Sequence, residues 1–347
     1  MKLGIIGLPQ SGKTTIFNAL TGARGEEKGK KGSRIEQRIS TVRVADERVD
    51  FLTEIFKPKK TTYTQVEYLL PSERADIPSR SENAVLNQVR VCDALIHVAR
   101  NFELPGGIAP HPEADFLRLE EEMILNDLVV VEKRLDRIDI DMKRGKKPDE
   151  EEYALIKWSK ELLEDNRPLR AKPELASAPM LKGFTFLSAK PQLLIMNNDD
   201  EDEEFPPWEL KPEHIEMMVV RGRLEMEITA MSSEDAEEFK SAYHIEKSAL
   251  DRVIRSSYDL LNLISFFTVL NEEVRAWTIT GGTSGFEAAG TVHSDMKKGF
   301  IRAEVLSFQH LKEYKSFHDA KKAGVVRLEG KEYRVQDGDI IQFRFNL

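Results

Sequence analysis

The chain has 347 residues, 40% of them hydrophobic and 32% charged, which predicts two or three globular domains rather than one ordinary core. Fifty-one basic against 60 acidic residues give a formal charge of −9, so the whole molecule carries no electrostatic footprint for nucleic acid and only a local patch could. The single cysteine, Cys92, excludes an internal disulfide and a cysteine-held metal cluster, and it suits a reducing cytoplasm.

Met1-Lys2-Leu3 runs straight into a strand-like segment, so no signal peptide is expected. The longest apolar stretch, Tyr258 to Leu270, is too short and too polar to span a bilayer, which needs ~20 apolar residues. A cytoplasmic protein without membrane contact is the expectation. Residues 2–7 read as a short buried strand, and Thr14 to Leu20 as a helix with Ile16, Phe17 and Leu20 on one face. Thr41–Val44 and Thr64–Leu70 have the β-branched density of strands. Asp93–Ala99 and Gln192–Met196 are near-continuous apolar runs, the pattern of strands covered on both faces. Strands alternating with helices predict an α/β fold with a parallel sheet.

From Asp115 the pattern changes. Phe116, Leu119, Met123, Leu128, Val131, Leu135 and Ile138 recur at helical spacing for roughly 28 residues, a rod of ~42 Å. Arg144-Gly145-Lys146-Lys147-Pro148 breaks it, and Tyr153, Ile156, Leu162 and Leu163 mark a second helix, so an antiparallel helical hairpin is predicted. Asn197 to Pro207 reads as a solvated acidic loop. From Leu263 short β signals dominate: Phe266–Val269, Val274–Trp277, Tyr333–Val335 and Ile340–Phe345, with Asp337-Gly338-Asp339 as a turn. No repeat with a period of 20–50 residues is visible.

Gly7-Leu8-Pro9-Gln10-Ser11-Gly12-Lys13-Thr14 fits G-x-x-x-x-G-K-[ST] without a mismatch, between a strand and a helix, where the mechanism needs it. The backbone of Pro9, Gln10, Ser11, Gly12, Lys13, Thr14 and Thr15 is expected to cradle phosphate oxygens at a helix N-terminus. Lys13 would reach the β and γ phosphates, and the Thr14 hydroxyl would be the magnesium ligand. A phosphate loop alone does not separate a kinase, a motor ATPase and a GTPase-like switch. Asn197-Asn198-Asp199-Asp200, at the end of an apolar strand, matches N-x-x-D. Asn197 would tie the base loop to the phosphate loop, and Asp200 could accept the two donors of a guanine edge.

On these residues the chain resembles the Obg-like ATPases of the YchF type, among the translation-factor-related P-loop GTPases. Gly12-Lys13-Thr14-Thr15-Ile16-Phe17-Asn18-Ala19-Leu20 is similar to the family's first motif, and Asp93–Phe102 to its central strand. Glu132-Lys133-Arg134-Leu135 lies in what resembles its inserted helical arm. Phe266-Phe267-Thr268, Glu273–Thr278, Ala288–Asp295, Gly299–Val305 and Gly330-Lys331-Glu332-Tyr333 resemble its C-terminal TGS domain, a small β-grasp module. The resemblance implies a P-loop domain at residues 1–114 and 184–262, a helical arm at 115–183 and a TGS domain at 263–347. It further implies purine-nucleotide binding (GTP or ATP), Mg2+ dependence, and a ribosome or RNA partner.

The chain departs from the family pattern. Asp200 stands where the family usually has Glu, which is linked to ATP preference, so the choice between ATP and GTP stays open. Counting back without gaps from Asp93, the family's metal-linked D-x-x-G falls on Glu67 to Leu70, with Glu for Asp and Leu for Gly. Pro71-Ser72-Glu73-Arg74-Ala75-Asp76 follows without a glycine. Arg34-Ile35-Glu36 occupies the place of Thr-Ile-Glu in the first switch, with Arg34 as an alternative internal arginine finger. Arg221-Gly222 replaces the Ser-Ala that backs the base, with the Gly222 N–H still on offer. Slow or absent hydrolysis with binding retained is therefore expected. A non-catalytic RNA- or ribosome-binding adaptor is the alternative, and a small-molecule kinase is a third reading, weakened by the TGS-like region. Oligomeric state and catalytic residues are not given by the sequence.

The basic run Lys28 to Arg34 reads as a solvated loop. His293 and Arg302 either contact RNA or fold the small domain through nearby Asp295 and Glu304. Cys92, with no basic neighbour, reads as an inert core thiol, and His97 as packed within its apolar run. Seven scattered histidines offer no metal cluster and no catalytic triad.

Overall fold

The first apolar run forms β1 (Lys2–Ile6), with Leu3, Ile5 and Ile6 buried. In the computed structural model, which describes residues 1–22, 37–72, 78–209, 212, 214–243, 245, 248–270 and 272–346, this strand lies inside a six-stranded sheet. The order is β2 (Arg38–Arg43), β4 (Gln65–Leu70), β1, β5 (Ala94–Asn101), β6 (Gln192–Asn198) and β7 (Glu216–Val220); the short β3 (Lys60–Thr62) belongs to a second sheet. β1 pairs in parallel with β4 and β5, β5 with β6, and β6 with β7. Parallel neighbours need crossovers, and α1 (Lys13–Thr21), α3 (Pro78–Val89), α4 (Pro112–Lys143), α7 (Gly222–Ala230) and α9 (Ala249–Leu260) follow these strands. The fold is α/β, as expected. The turns after β1, β5, β6 and β7 therefore share one edge of the sheet, where ligands of open α/β folds bind.

The helical segment is longer than expected: α4 starts at Pro112, with proline in its first turn, and runs for 32 residues. Gly145, at φ +81°, turns the chain into α5 (Glu150–Glu164), which Asp149 caps by accepting the N–H groups of Glu151 and Glu152 at 3.1 Å. Ile124 and Val131 of α4 pack with Ile156, Leu162 and Leu163 of α5, and with Leu175 of the short α6 (Pro173–Ala176). Buried Asp127 of α4 accepts the N–H groups of Leu187 (3.0 Å) and Ser188 (2.7 Å) and faces Arg90 at 3.2 Å. These bonds join the arm to the segment entering β6, and the arm is part of the first compact unit, Met1–Val42 with Glu67–Leu260, which also holds α8 (Ser233–Ala242).

The second unit is Arg43–Val66 with Leu261–Leu347. Its sheet has the order β11 (Arg327–Glu329), β10 (Phe300–Ser307), β12 (Asp339–Phe345), β8 (Leu263–Leu270), β9 (Glu273–Thr280) and β3. One face packs Phe266, Ala303, Val305 and Ile341 against Ala288 and Ala289 of α10 (Gly285–Val292). The other packs Phe267, Val274, Leu306 and Ile340 against Val49 and Leu52 of α2 (Glu47–Phe56). Short helices α11 (Ser294–Lys298), α12 (Phe308–Tyr314) and α13 (Phe317–Lys322) complete the unit. Residues 43–66 thus differ from the expected division: they group with the C-terminal segment, because β3 pairs in parallel with β9 and α2 supplies part of that core. Among the described residues no helix is long and apolar enough to cross a membrane.

Candidate functional site

The phosphate loop leaves β1 at Gly7 and enters α1 at Lys13, with Gly12 as N-cap residue at φ +93°. Gln10 is also left-handed, at φ +64°, an unusual backbone for a non-glycine residue. Pro9, Gln10 and Thr14 are exposed, Thr15 is half-buried, and Ser11 and Lys13 are buried. Lys13 is not the surface-loop charge that its motif position suggests: it is 5% exposed, and its ammonium donates to the carbonyls of Gly7 (2.9 Å) and Leu8 (2.6 Å). The buried Ser11 hydroxyl oxygen has no hydrogen-bond partner. Such an orphan costs about 1–3 kcal/mol, and a phosphate oxygen would satisfy it.

Asn197 joins this loop to the next one. It ends β6 only 4% exposed, its Nδ2 donates to the Ser11 carbonyl at 3.0 Å, and its Oδ1 accepts the Gly222 N–H at 3.0 Å. The two glycines it touches are closely fitted against it. A Cβ on Gly12 would lie 2.0 Å from Asn197 Nδ2, and one on Gly222 would lie 2.7 Å from Asn197 Oδ1. The Gly222 N–H, expected to face the base, is thus committed to Asn197.

Asp200 is half-buried. Its Oδ1 accepts the Leu224 N–H in the first turn of α7 at 3.1 Å, and its Oδ2 is 3.7 Å from Arg223 Nε. Burial pushes its carboxyl above the ordinary range, against the opposing pull of Arg223 and the Leu224 N–H. Arg221 faces Glu203 at 2.7 Å. Asn197 and Asn198 are not part of a solvated loop. Asn198 is buried, accepts from Asn101 Nδ2 at 3.0 Å and donates to the carbonyls of Asp202 (3.1 Å) and Glu204 (2.8 Å). The sequence reading passed over the Asn101–Asn198 bond; its signal is an asparagine at the end of each of two adjacent buried runs.

The metal end of the site differs from the ungapped reading. β4 is in register with β1 as Lys2↔Glu67, Leu3↔Tyr68 and Gly4↔Leu69. Glu67 therefore sits at the opposite end of the sheet, five residues or ~16 Å of strand before Gly7, with Lys2 Nζ 2.7 Å from its Oε1. The end of β4 nearest the phosphate loop is Leu70, 7% exposed, followed by buried Pro71 and by Ser72, whose N–H and hydroxyl both bond Gln88 Oε1. No carboxylate among the described residues stands there. Among the described residues no group of three or more His, Cys, Asp or Glu could hold a metal ion. The exposed Thr14 hydroxyl fits an ion carried in with a nucleotide, but it has no acidic partner on β4. Lys28 to Arg34, Ile35, Glu36, and Glu73 to Asp76 lie outside the described residues.

His97 is paired with Ile6 in mid-sheet, with Gln192 Nε2 2.9 Å from its Nδ1 and the Phe116 ring at 5.1 Å. Burial, and then Arg170 and Lys13, pull its pKa down to about 3, so it is a neutral packed residue. Cys92 is buried too, and burial pushes its thiol up to about 11. It does have basic neighbours, Lys190 and Lys2, which pull the other way; Lys190 Nζ donates to the Cys92 carbonyl at 2.5 Å. His293 Nδ1 accepts the Asp295 N–H at 3.2 Å and caps α11, a folding role.

Residues 263–346 match the family YchF-GTPase_C, described as a protein of unknown function (DUF933). The ribosome-binding ATPase YchF of Bacillus subtilis (strain 168) is 36% identical over 363 aligned residues, 99% of each chain. That of Pasteurella multocida (strain Pm70) is 37% identical over 365, covering 100% of this chain and 99% of its own. The solved YchF GTPase of Schizosaccharomyces pombe superimposes with a TM-score of 0.80 at 27% identity, covering 99% of this chain and 97% of the other.

Proposed function

The chain belongs to the YchF family, and from that premise we propose that it binds a purine nucleoside triphosphate at Gly7–Thr15, associates with the ribosome in the cytoplasm, and hydrolyses the nucleotide slowly or not at all. The observation that carries the nucleotide reading is the Asn197 carboxamide, bonded at once to the phosphate loop and to the Gly222 turn. That bridge rigidifies the two loops a nucleotide would touch with its phosphates and its base. The backbone of Pro9 to Thr15, the orphan Ser11 hydroxyl and Lys13 would hold phosphates, and Thr14 the Mg2+. That ion would supply charge neutralisation on the phosphates. Asn197, Asp200, Arg221 and the Gly222 turn would frame the base. Asp200 keeps acceptor capacity beyond its bond to Leu224, which supports acceptance of GTP alongside ATP. The ribosome reading is supported by what the bacterial relatives are named for.

The reading of slow hydrolysis is supported by the described strand end beside the phosphate loop. Phosphoryl transfer depends on positioned metal ligands and a positioned water, and Leu70 and Pro71 supply neither. The same observation favours a second reading, a ribosome adaptor for which nucleotide is a structural ligand. In either case the first unit would carry the nucleotide and the helical arm, and the C-terminal unit, resembling a TGS module, would serve macromolecular contact. Titration with ATP and GTP, with and without magnesium, tests binding; an absence of heat at millimolar nucleotide would refute it. Single-turnover phosphate release at saturating nucleotide then tests the hydrolysis reading: slow, Lys13-dependent release favours the slow switch over the adaptor. Turnover at ordinary enzymatic rates, about 1 s⁻¹ or faster, would remove the adaptor and the slow-hydrolysis reading alike.

A further inference from the structure

β7 is the outer strand of the first sheet, and among the described residues no strand pairs with its other side. Its pairing with β6 runs from Leu193↔Glu216 to Asn197↔Val220 without a bulge. Open edges in native proteins are guarded against pairing with another chain by a charge (lysine above all), a proline or a bulge. In Glu216-Met217-Met218-Val219-Val220 the one such residue is Glu216, and it is already engaged, accepting from Ser256 Oγ at 2.6 Å. Arg221, next in the chain, faces Glu203 at 2.7 Å.

Beside this edge lies a cleft of about 560 Å³. Its lining includes Met217, Met218 and Val219, with Phe205 from the loop after β6 and Arg252 from α9. Alternation sends Met217 and Val219 to the face they share with Leu194, Met196 and Trp208, and Met218 to the face on which α9 packs. Phe205 is 49% exposed. Glu225 lines the cleft too, but its carboxylate accepts from Ser248 Oγ at 2.5 Å and from the Ala249 N–H at 2.6 Å. Exposed Arg252 has no ion pair or hydrogen bond among the described residues. The cleft thus presents strand backbone, an aromatic ring, adaptable thioethers and one uncompensated positive charge.

We propose that β7 takes up an extended peptide segment of another protein as an added strand, with apolar side chains at alternate positions and a carboxylate set against Arg252. Main-chain hydrogen bonds would supply the affinity, and Phe205, the two methionines and Arg252 would select the sequence. Three points favour this occupant. Three successive strand residues line the cleft, so a ligand lying along them meets a row of backbone donors and acceptors that only another backbone matches. A second copy is disfavoured because its own β7 stands between the same walls, the Phe205 loop and α9, which would meet before the two edges could. The unmatched charge is positive, so the complementary segment is acidic at that point. Neither nucleotide nor ribosome is needed for this contact.

The test uses the full chain and an array of acetylated, amidated heptapeptides of randomised sequence. Peptides retained by the parent are expected to alternate apolar residues, to lack proline and to carry one aspartate or glutamate at a fixed position. Against Arg252→Glu the same array should select lysine or arginine at that position, with the apolar alternation kept. The tightest parent-selected peptide, followed by fluorescence polarisation, should bind Phe205→Ala about tenfold more weakly. Both variants alter exposed side chains, so their melting temperatures should match the parent. In an added strand only alternate residues turn their N–H groups to the neighbour. N-methylation of alternate peptide nitrogens should therefore abolish binding in one phase and spare it in the other. Retention of no peptide, or an unchanged selection by Arg252→Glu, would overturn the assignment. Equal tolerance of both N-methylation phases would also overturn it, since side chains alone would then be recognised. Dimers of the parent that dissociate in Phe205→Ala or Arg252→Glu would give the edge to a second copy instead.

Discussion

Replacing Asn197 by Ala is expected to damage fold and ligand binding together, and the structure sets the scale. The carboxamide satisfies two buried backbone groups, the Ser11 carbonyl and the Gly222 N–H, each at 3.0 Å. Stranding each costs about 1–3 kcal/mol, hence about 2–6 kcal/mol in total, with the lower end applying if water enters the space. That is a large share of the 5–15 kcal/mol that holds a typical domain together, given as an order of magnitude. Nucleotide affinity should fall at least about tenfold, since the phosphate loop loses its brace. Gly12→Ala supplies the cross-check. Its Cβ would meet Asn197 Nδ2 at 2.0 Å and would sit at φ +93°. In the Asn197→Ala background the clash disappears and only the left-handed backbone cost of about 1–2 kcal/mol remains. The double variant should therefore be less destabilised than the sum of the singles by more than about 1 kcal/mol. Urea unfolding with constant slope, beside nucleotide titration, reads both quantities. If Asn197→Ala unfolds at the parental midpoint, or if the two changes add within about 0.5 kcal/mol, the brace is not there.

Lys13→Ala should abolish nucleotide binding and cost about 1–3 kcal/mol of stability, because the ammonium bonds two loop carbonyls; titration and melting measure the two effects separately. Removing magnesium with a chelator should weaken ATP and GTP binding by less than about tenfold (about 1.4 kcal/mol), since no carboxylate ends β4 beside Thr14; a hundredfold loss would contradict that geometry. His97, held at about 3 against an unfolded value near 6.5, leaves the unfolded chain binding a proton that the folded one does not. Its contribution is complete above pH 6.5 and declines as pH falls towards 3, by up to about 1.4 kcal/mol per unit. His97→Asn should flatten stability against pH in that window, and identical slopes in the two proteins would show that His97 does not titrate there.

The phosphate loop was legible because three signals coincide at Gly7–Thr14: a glycine pattern, an apolar run before it and a helical period after it. Asn197 was legible for a similar reason, standing at the end of a buried run with Asp200 three residues on. What escaped was long-range. Lys60–Thr62 pairs with Glu273–Arg275 across more than two hundred residues of chain, and no local pattern in 43–66 records that partnership. Directions also escaped: Lys13 turns back onto its own loop, and the Gly222 N–H points at Asn197 rather than outward. A motif states which groups exist, but only packing decides which of them are already spent.

Glu67 shows the same limit from the side of counting. An ungapped count treats a strand and its neighbour as fixed in length, whereas register is set by which residues bury. Val66, Tyr68 and Leu69 are all buried, and that pattern locks Tyr68 opposite Leu3, sending Glu67 to Lys2 at the far end of the sheet. Among the described residues, the two halves of the proposed nucleotide site are thus held in different ways. The half held by Asn197, Gly12 and Gly222 is steric and hydrogen-bonded, so a Cβ on Gly12 or the loss of the Asn197 carboxamide disturbs the fold itself. The half at the end of β4 needs a carboxylate only for the metal. Leu70 packs there, 7% exposed, without cost to the sheet. That division among the described residues fits the proposal of binding with slow turnover, and single-turnover phosphate release at ordinary enzymatic rates would refute it.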